Sequence, residues 1–588
     1  MPFMQNKCLE CVIQPSIANK DTRMSTPVLM VAAIDLGTAF SGYAFSMKAE
    51  FENNPLHINA NQAWRPGNLS IKCPTCILFD ENKKVLSFGY DAEDDYMNIL
   101  LDKTQNEYYF FKNFKMNLYK IEVLTNDSMI EDVTGKPILA KTVIIGSLKS
   151  LKDHLMNNLK TRGLLGTAIQ EKEIRWVFTI PSIWTEPAKK FMRTCAVKAG
   201  LGHNPIIALE PEAASIFCQC VPFSSTPSSD LKCMIVDIGG GTTDIVIQEK
   251  LKNGKLKDLC KPCGDECGGT HVDKEFMKVV SQILGNDVLI AFKRDYPLDY
   301  LELRRALELL KQADPEKRIR MSVPLVAFDK ICTDHYKKTF VDILKQSKWK
   351  DTVTHITGDK VQLSKELFLS LFSSTTSRIV NLMRENLKNP KCKDLSMLLL
   401  VGGFSESVVV QNTIKTAFPD KTVIIIPDSS TAVLRGAVMY GHNPNIIASR
   451  IVKHSYGILS RQRFDPSKHQ ESRAVTVVDV KRCRDTFHSL ISANTPVVVG
   501  EKRSHTFHTI VPNQEIATFR LFSSPHENPV YIDDKDCRHF ADLKIDIQSP
   551  SKDRIDIEVD FQFGLTELAV TAKQKGTENK SNISIKYK

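Results

Sequence analysis

Apolar positions follow two different periods along this chain. Up to about residue 443, continuous apolar runs such as "EIRWVFTI" alternate with helical stretches. Further on, "RIDIEVDFQF" alternates strictly and places five apolar side chains on one face, namely Ile555, Ile557, Val559, Phe561 and Phe563. Continuous runs are typical of buried strands in α/β proteins, whereas period two is typical of half-buried antiparallel strands. The pattern therefore predicts an α/β part followed by an all-β part.

Several predicted elements have recognisable ends. Residues 142–162 carry apolar side chains at helical spacing and end before Gly163, a typical C-terminal glycine. Thr185 is positioned to cap the next helix, which has a proline in its first turn, and Ser364 to cap a later long helix. Strands are predicted in "PIIAL", "LSMLLLV" and "TVIII", and hairpins in "AIDLGTAFSG" and "IVDIGGGTTD".

These patterns predict three segments. Residues 1–27 are expected to be a disordered leader, 28–443 an α/β domain and 444–588 a small β-domain.

Composition narrows the class of protein. The 588 residues are 42% hydrophobic and 25% charged, which is ordinary for a globular protein. The net charge of +10 is spread widely, with no dense basic run among aromatic residues, so nucleic-acid binding is not expected. No signal peptide and no run of about 18 apolar residues is found, so we expect no membrane span. The expected location is cytoplasmic, with access to the nucleus left open.

Fifteen cysteines include two Cys-x-x-Cys pairs, Cys73 with Cys76 and Cys260 with Cys263, and Cys267 follows the second pair closely. Folding could join the pairs in a zinc site with four thiolate ligands. The alternative, which we favour, is that these are incidental reduced thiols of an intracellular protein.

Both predicted hairpins carry an acid at the end of a strand, then glycine and threonine in the turn. Glycine lets the backbone approach an anion, and successive N–H groups form a nest for phosphate oxygens. Each acid could hold Mg²⁺, mostly through water. These residues are Asp35, Gly37 and Thr38 in the first turn, and Asp237, Gly239, Gly240, Gly241 and Thr242 in the second. With a third glycine pair after a strand, Gly402–Gly403, the sequence predicts a phosphate site that lacks a Walker A lysine motif.

An ordered set of motifs over about residues 30–442 resembles the superfamily of actin, sugar kinases and heat-shock chaperone ATPases. Within that set, "DLGTAFSG", "EPEAA", "DIGGGTTD" and "CGDECGGTHVDKEF" look most like the seventy-kilodalton heat-shock chaperones. This resemblance implies an actin-like, two-lobed ATPase domain with a duplicated ribonuclease-H-like core.

The resemblance continues beyond residue 443. Two stretches there look like strands of the chaperone peptide-binding β-sandwich, "TPVVVGEKRSHTFHTIVPNQEIATFRLFSS" and "VDFQFGLTELAVTAKQKGTENKSNISIKY". The chaperones' helical lid, acidic tail and acidic-leucine linker have no counterpart, so we expect no lid. This combination resembles the divergent heat shock 70 kDa protein 12 branch.

Roles follow from the resemblance, residue by residue. Asp35 and Asp237 would position Mg²⁺, and Thr38 and Thr242 would bond phosphate. Glu210 would orient the attacking water, and a lysine of "FFKNFKM" would reach the γ-phosphate, where spacing favours Lys115 over Lys112. Phosphoryl transfer needs mainly positioning and charge neutralisation, so this set is chemically sufficient.

Other motif positions would contact the nucleotide. Glu308 and Lys311 would bind the ribose hydroxyls, unless they form an ordinary helical ion pair. The remaining positions are Ala39, Phe40, Thr243, Gly268, Gly269, Gln312, Phe404, Glu406 and Asp428. Gln312 and Glu406 stand where the chaperones have two arginines that sandwich the adenine, and Ala39 replaces a threonine. Binding of the base is thereby placed in question, because neither side chain offers a guanidinium plane.

We therefore expect an ATP-binding, chaperone-like stress-response protein, with ATP or ADP and Mg²⁺ as cofactors and weak ATPase activity. Its nucleotide state would control binding of an unfolded or extended polypeptide, with possible co-chaperones. The alternatives are a nucleotide-switched scaffold for a specific partner protein and a small-molecule kinase of the same superfamily.

Overall fold

A computed structural model describes residues 27–61, 64, 70–119, 121, 124–166, 169–220, 231–477, 479–563 and 568–584. The predicted leader thus lies outside the described residues, apart from its last position. Within the described ranges, no helix is long and apolar enough to cross a membrane.

The first large sheet has six strands and contains the first predicted hairpin. Its order is Ile206–Leu209, Ile174–Ile180, Met30–Asp35, Phe40–Met47 and Asn59–Ala60, with Cys73–Pro74 paired to Phe40–Met47. The first three strands are parallel, and the hairpin partner is antiparallel. Met30–Asp35 is buried over its full length and Ile174–Ile180 at every position except Arg175, which explains their apolar runs.

The second large sheet has eight strands and repeats this order around the second hairpin. The strands are Thr422–Ile425, Met397–Val401, Leu231–Ile238, Thr243–Lys250, Leu256–Asp258, Ile447–Ile451 and Pro496–Val498, with Cys263–Asp265 paired to Thr243–Lys250. The first three strands are again parallel and the hairpin partner antiparallel. This repetition is the duplicated core that the resemblance implies.

Two helices lie between the large sheets. Glu210–Cys220 and Ala432–His442 share one hydrophobic cluster with strands of both sheets. They approach so closely that a Cβ on Gly436 would lie 1.6 Å from the carbonyl oxygen of Ala213. Glycine at this position therefore sets the distance between the two halves of the core.

Further helices cover the outer faces of the sheets, and their predicted caps are confirmed. The side chain of Ser364 accepts a hydrogen bond from the Leu367 N–H, and that of Thr185 accepts one from the Ala188 N–H.

The helices besides the two between the large sheets are Lys48–Asn53, Tyr90–Leu101, Lys115–Tyr119, Ala140–Thr161, Glu186–Lys198, Gly269–Leu284, Asn286–Asp295, Pro297–Leu310, Leu325–Tyr336, Phe340–Gln346, Lys365–Leu387 and Val408–Ala417. Smaller sheets are formed by Val85–Phe88, Cys76–Phe79 and Tyr109–Lys112, by Met129–Glu131 and Pro137–Leu139, and by Ile319–Ser322, Lys360–Leu363 and Val353–Thr357.

Two antiparallel sheets follow residue 451. One consists of Ala474–Val477, Val480–Ile491, Ser455–Arg463, Ile516–Ser524 and Arg538–Asp546, and the other of Lys502–His508, Asp556–Phe563, Leu568–Gln574 and Lys580–Ser584. Residues of both sheets share one hydrophobic cluster. The alternation over 555–563 is confirmed, since Ile557, Val559, Phe561 and Phe563 are buried and Ile555 packs at the edge of the cluster.

The strand Ile447–Ile451, which we call the linker strand, belongs to the second large sheet. It pairs in parallel with Leu256–Asp258 and antiparallel with Pro496–Val498. Strands beyond residue 443 thus complete a sheet of the preceding part of the chain. The change of hydrophobic pattern near residue 443 comes before the last strands of that sheet. The boundary between 443 and 444 stays a prediction.

Candidate nucleotide site

The turns of the two hairpins face each other. A Cβ on Gly240 would lie 2.8 Å from the Ala39 Cβ, and a Cβ on Gly241 would lie 2.7 Å from Thr38 Oγ1. Only glycine allows this approach of two turns. The predicted phosphate residues of both hairpins are thereby brought to one place.

A third loop lies against the second hairpin. A Cβ on Gly268 would lie 2.5 Å from the carbonyl oxygen of Gly239, and the Gly269 N–H donates to the same oxygen. In the first hairpin, the Gly37 carbonyl accepts a hydrogen bond of 2.8 Å from Thr75 Oγ1, and Phe40 begins the next strand with a partly exposed ring. These backbone contacts fix the turns before any ligand arrives.

Asp35 is buried at the end of its strand and has two donors. Lys72 Nζ donates to Oδ2, and Thr179 Oγ1 donates to Oδ1, each over 2.7 Å. Burial alone would raise the pKa of Asp35, but Lys72, Lys115 and these hydrogen bonds outweigh burial and lower it. Asp35 is therefore a charged carboxylate with a hydrogen bond to each oxygen.

Glu210 pairs with Lys115, the lysine that the spacing favours. The Nζ–Oε1 distance is 2.7 Å, and the lysine side chain is 2% exposed. Burial raises the pKa of Glu210 to about 7, partly offset by Lys115 and reinforced by Asp35 and Asp244. Lys112 instead pairs with Glu93, so the fold separates the two candidate lysines.

Asp237 is buried and has no ion pair among the described residues. Burial and the carboxylates of Glu210, Asp244 and Asp35 raise its pKa well above the usual range. Asp244 accepts hydrogen bonds from the N–H and Oγ of Ser182, and from the Thr242 hydroxyl. Thr243 donates its hydroxyl to the Cys267 carbonyl and so holds the neighbouring loop.

We call the space bordered by the two hairpin turns, the Gly268–Gly269 loop and the Gly402–Gly403 loop the cleft. Gly402 lies at its acidic end, beside Asp237. Its φ is 87°, and a Cβ there would lie 2.4 Å from Asp237 Oδ1. A Cβ on Gly269 would touch the buried ring of Phe404 and approach Lys311 Nζ. The fold thus places the Gly402–Gly403 loop beside the second hairpin and beside Gly269.

Lys311 and Glu308, which are predicted to bind the ribose hydroxyls, form the ion pair given as the alternative, with an Nζ–Oε2 distance of 2.9 Å. Lys311 also pairs with the buried Asp273 at 3.0 Å. The pair is therefore fixed by a third residue, unlike an ordinary surface ion pair.

Residues at the predicted base end are less buried. Gln312, Gly403, Glu406 and Asp428 are exposed. Glu406 accepts from Ser429 Oγ over 3.2 Å, and Asp428, with a φ of 53°, lies 3.9 Å from an Arg435 nitrogen. This part of the cleft offers surface side chains and no rigid clamp.

The donor set fits Mg²⁺ held largely through water. Asp237 is a buried acid without a bonded cation, and three further carboxylates lie around it, those of Asp35, Glu210 and Asp244. Within the described part of the chain, no group of three or more His, Cys, Asp or Glu side chains is placed so that it could hold a metal ion by itself. Mg²⁺ retains several waters and needs few direct ligands, so these observations agree.

The cysteine pairs have other partners. Cys260 Sγ lies 3.6 Å from Cys392 Sγ, and the Cys263 thiol donates to the side chain of Asn386. Cys73 and Cys76 are buried in the first half of the core.

Sequence reasoning missed five residues of this site, namely Lys72, Thr179, Ser182, Asp244 and Asp273. Asp244 and Asp273 lie inside recognised motifs, so their position beside predicted residues was a usable signal. Lys72, Thr179 and Ser182 lie outside those motifs and reach the site only through the fold.

Comparison with known proteins agrees with this geometry. The family model described as "Hsp70 protein" matches residues 106–588. The chain is 30% identical to heat shock 70 kDa protein 12A of Mus musculus, covering 95% of this chain and 91% of that protein. It is 28% identical to heat shock 70 kDa protein 12B of Homo sapiens, covering 100% and 95%, and 23% identical to the chaperone protein dnaK of Cyanidium caldarium, covering 71% and 59%. The chain therefore belongs to the Hsp70 family of nucleotide-binding, chaperone-like proteins.

Proposed function

We propose that the chain is a slow, Mg²⁺-dependent ATPase that couples its nucleotide state to the binding of an extended polypeptide. The observation that carries this proposal is the buried Lys115–Glu210 pair beside two facing glycine turns. A lysine and a carboxylate at such a position supply charge neutralisation and water orientation, which phosphoryl transfer to water requires.

In this proposal each residue has one task. Lys115 contacts the γ-phosphate, and Glu210 orients the attacking water. Thr38 and Thr242 bond phosphate oxygens together with the glycine N–H groups. Mg²⁺, when bound, would neutralise phosphate charge, and Asp237 is the acid best suited to hold its water shell.

Coupling to the all-β part would run through residues next to the linker strand. Lys453 Nζ donates to the Ser182 carbonyl, and Ser182 donates to Asp244 beside the second hairpin turn. Arg450 of the linker strand forms two hydrogen bonds, of 2.9 and 2.6 Å, with the buried Glu212. A shift of the phosphate turn would thus act on the linker strand through short hydrogen bonds.

For the polypeptide site we propose the two antiparallel sheets, acting as a β-sandwich without a helical lid. Three apolar side chains are exposed between these strands: Ile510 and Val511 in the loop after Lys502–His508, and Ile516 at the start of Ile516–Ser524. Exposed apolar groups of this kind favour an extended, hydrophobic partner segment.

Phosphate release tests the enzymatic part. Purified full chain is mixed with ATP and Mg²⁺, and phosphate is followed under single-turnover conditions. Slow release that disappears in Lys115→Met, with ATP still bound, supports the proposal. Tight binding without any release would overturn the ATPase.

The alternative of a nucleotide-switched scaffold is favoured by one observation, the exposed Gln312 and Glu406 at the base end. A scaffold would bind nucleotide and change its partner affinity without turnover. Binding of a labelled hydrophobic peptide, followed over time after addition of ATP or of a non-hydrolysable ATP analogue, distinguishes the two, because only the ATPase changes peptide affinity with time after ATP addition.

A further inference from the structure

Lys72 lies at the phosphate end of the cleft, although no recognised motif contains it. The residue stands just before the short strand Cys73–Pro74, and its Nζ lies 2.7 Å from Asp35 Oδ2. The two side chains are 16% and 6% exposed. Water therefore screens this ion pair far less than it screens a surface pair.

Each oxygen of Asp35 already accepts a hydrogen bond. Oδ2 accepts from Lys72 and Oδ1 accepts from Thr179. A metal ion bound directly to Asp35 would have to share these oxygens with both donors. It would also bring a second positive charge next to the buried ammonium, which costs free energy in a shielded site.

Asp237 presents the opposite situation. It is buried, it faces three other carboxylates, and it has no ion pair among the described residues. The Lys72 ammonium acts on both Asp237 and Glu210 electrostatically, in addition to its bond with Asp35. One lysine thus offsets the charge of several acids around the predicted phosphate position.

We propose that Lys72 is a tethered cation that occupies Asp35 in place of a metal ion and confines Mg²⁺ to the Asp237 side of the cleft. This inference rests on the proposed nucleotide site. Because Lys72 permanently neutralises part of the acidic end, the phosphates of a nucleotide meet less repulsion when Mg²⁺ is scarce. Lys72 is therefore a positioning residue that sets the Mg²⁺ dependence of nucleotide binding.

The test measures the affinity of the full chain for fluorescent ADP over a series of Mg²⁺ concentrations, including excess EDTA. Removal of Mg²⁺ should lower the ADP affinity of Lys72→Gln by about tenfold more than it lowers the ADP affinity of the unmodified chain. This is the size expected for one charged hydrogen-bonding group. High Mg²⁺ should restore this affinity. An equal loss at every Mg²⁺ concentration, or no loss, would overturn the inference.

A second readout needs no nucleotide. Free Mn²⁺, followed by electron paramagnetic resonance, reports metal binding to the empty protein. Lys72→Gln should bind Mn²⁺ more tightly, because Asp35 becomes available as a ligand. Unchanged or weaker Mn²⁺ binding contradicts the proposal.

Lys112→Gln is the matched control. Lys112 forms an ion pair of the same length, 2.7 Å, with Glu93, and these side chains are 20% and 5% exposed. The same substitution there should leave the Mg²⁺ dependence as in the unmodified chain. A steeper dependence in this control would show that loss of any shielded lysine has the effect.

Two further variants keep the test decisive if Lys72→Gln does not fold. Lys72→Arg retains the charge and should retain the original Mg²⁺ dependence. The double variant Lys72→Gln with Asp35→Asn removes both charges and should return toward the original dependence; a steep dependence in either variant counts against the inference. If the unmodified chain binds no ADP at any Mg²⁺ concentration, the proposed nucleotide site itself fails.

Discussion

The two ends of the cleft are built differently. At the phosphate end, Asp35, Lys115 and Glu210 are shielded and held by hydrogen bonds of 2.7 Å. At the base end, Gln312 and Glu406 are exposed, and the hydrogen bonds of Glu406 are 3.2 and 3.4 Å long. The side chains of the phosphate end are therefore held in place by the fold. Recognition of the base depends on exposed surface side chains, which are easily changed by substitution.

The largest expected effect comes from removing the lysine of the phosphate end. In Lys115→Met, phosphate release should fall by at least about 100-fold, the usual consequence of losing one group that stabilises transition-state charge. ATP affinity should change much less, since the glycine turns and threonines remain. Single-turnover phosphate release and equilibrium binding measure the two quantities separately.

Lys112→Met is the control for that experiment, because Lys112 pairs with Glu93 and not with Glu210. Turnover should persist in this variant. Persistent turnover in Lys115→Met, or loss of turnover in Lys112→Met alone, would show that Lys115 is not the catalytic lysine.

The next effect concerns pH. The pKa of Glu210 rises on folding from its ordinary 4.5 to about 7, because of burial, so the folded protein binds this proton more tightly than the unfolded chain. The resulting stabilisation is fully present below the unfolded pKa and is lost as pH rises through about 7. Urea unfolding of the nucleotide-free protein across this window should show a flatter pH profile in Glu210→Gln.

Glu406→Gln serves as its counterpart at the exposed end and should leave the pH profile as it is. If Glu210→Gln and the unmodified chain lose stability in parallel between these pH values, the shielded character of Glu210 is not what distinguishes the two ends.

A smaller effect should separate two neighbouring glycines. Gly402 has φ 87° and ψ 155°, and a Cβ there would overlap Asp237, whereas a Cβ on Gly403 would meet nothing within 4 Å. Gly402→Ala should lower the free energy of unfolding by about 1–3 kcal/mol, since this backbone region is essentially restricted to glycine. Gly403→Ala should be nearly neutral. Denaturant unfolding compares them, and equal losses would contradict the contact with Asp237.

The smallest expected effect is a gain at the base end. Gln312→Arg combined with Glu406→Arg should tighten adenine nucleotide binding by about 0.5–2 kcal/mol, through stacking of guanidinium on the base. Gln346→Arg combined with Glu385→Arg, which makes the same change of charge at two other exposed helix positions, is the control. Competition of ATP with a fluorescent ADP measures the gain, and an equal gain in the control would reduce it to an effect of net charge.

Much of the fold could be predicted because the relevant signals are local. Ser364 and Thr185 precede their helices directly, and the alternation over 555–563 needs no tertiary information. Both hairpins were also readable, because acid, glycine and threonine occur within a few residues of one another. The relative placement of the glycine loops followed from family resemblance and not from spacing.

Long-range contacts could not be predicted in this way. Lys72 is 37 positions from Asp35, in a stretch without a motif, so its ion pair exists only in the folded chain. The linker strand was missed for a related reason, since its five residues mix polar and apolar side chains and so resemble neither a continuous apolar run nor a strict alternation. Its partner Leu256–Asp258 lies almost 200 positions earlier, and local sequence patterns carry no information about strand pairing over such a separation.

The linker strand also affects how this protein can be divided for experiments. Along the chain, Ile447–Ile451 belongs to the second large sheet, Ser455–Arg463 to an antiparallel sheet, Pro496–Val498 again to the second large sheet, and Lys502–His508 to the other antiparallel sheet. A fragment ending at residue 443 would leave Leu256–Asp258 as an open edge, which favours aggregation. No single cleavage point yields two complete pieces, so the full chain is the unit to express.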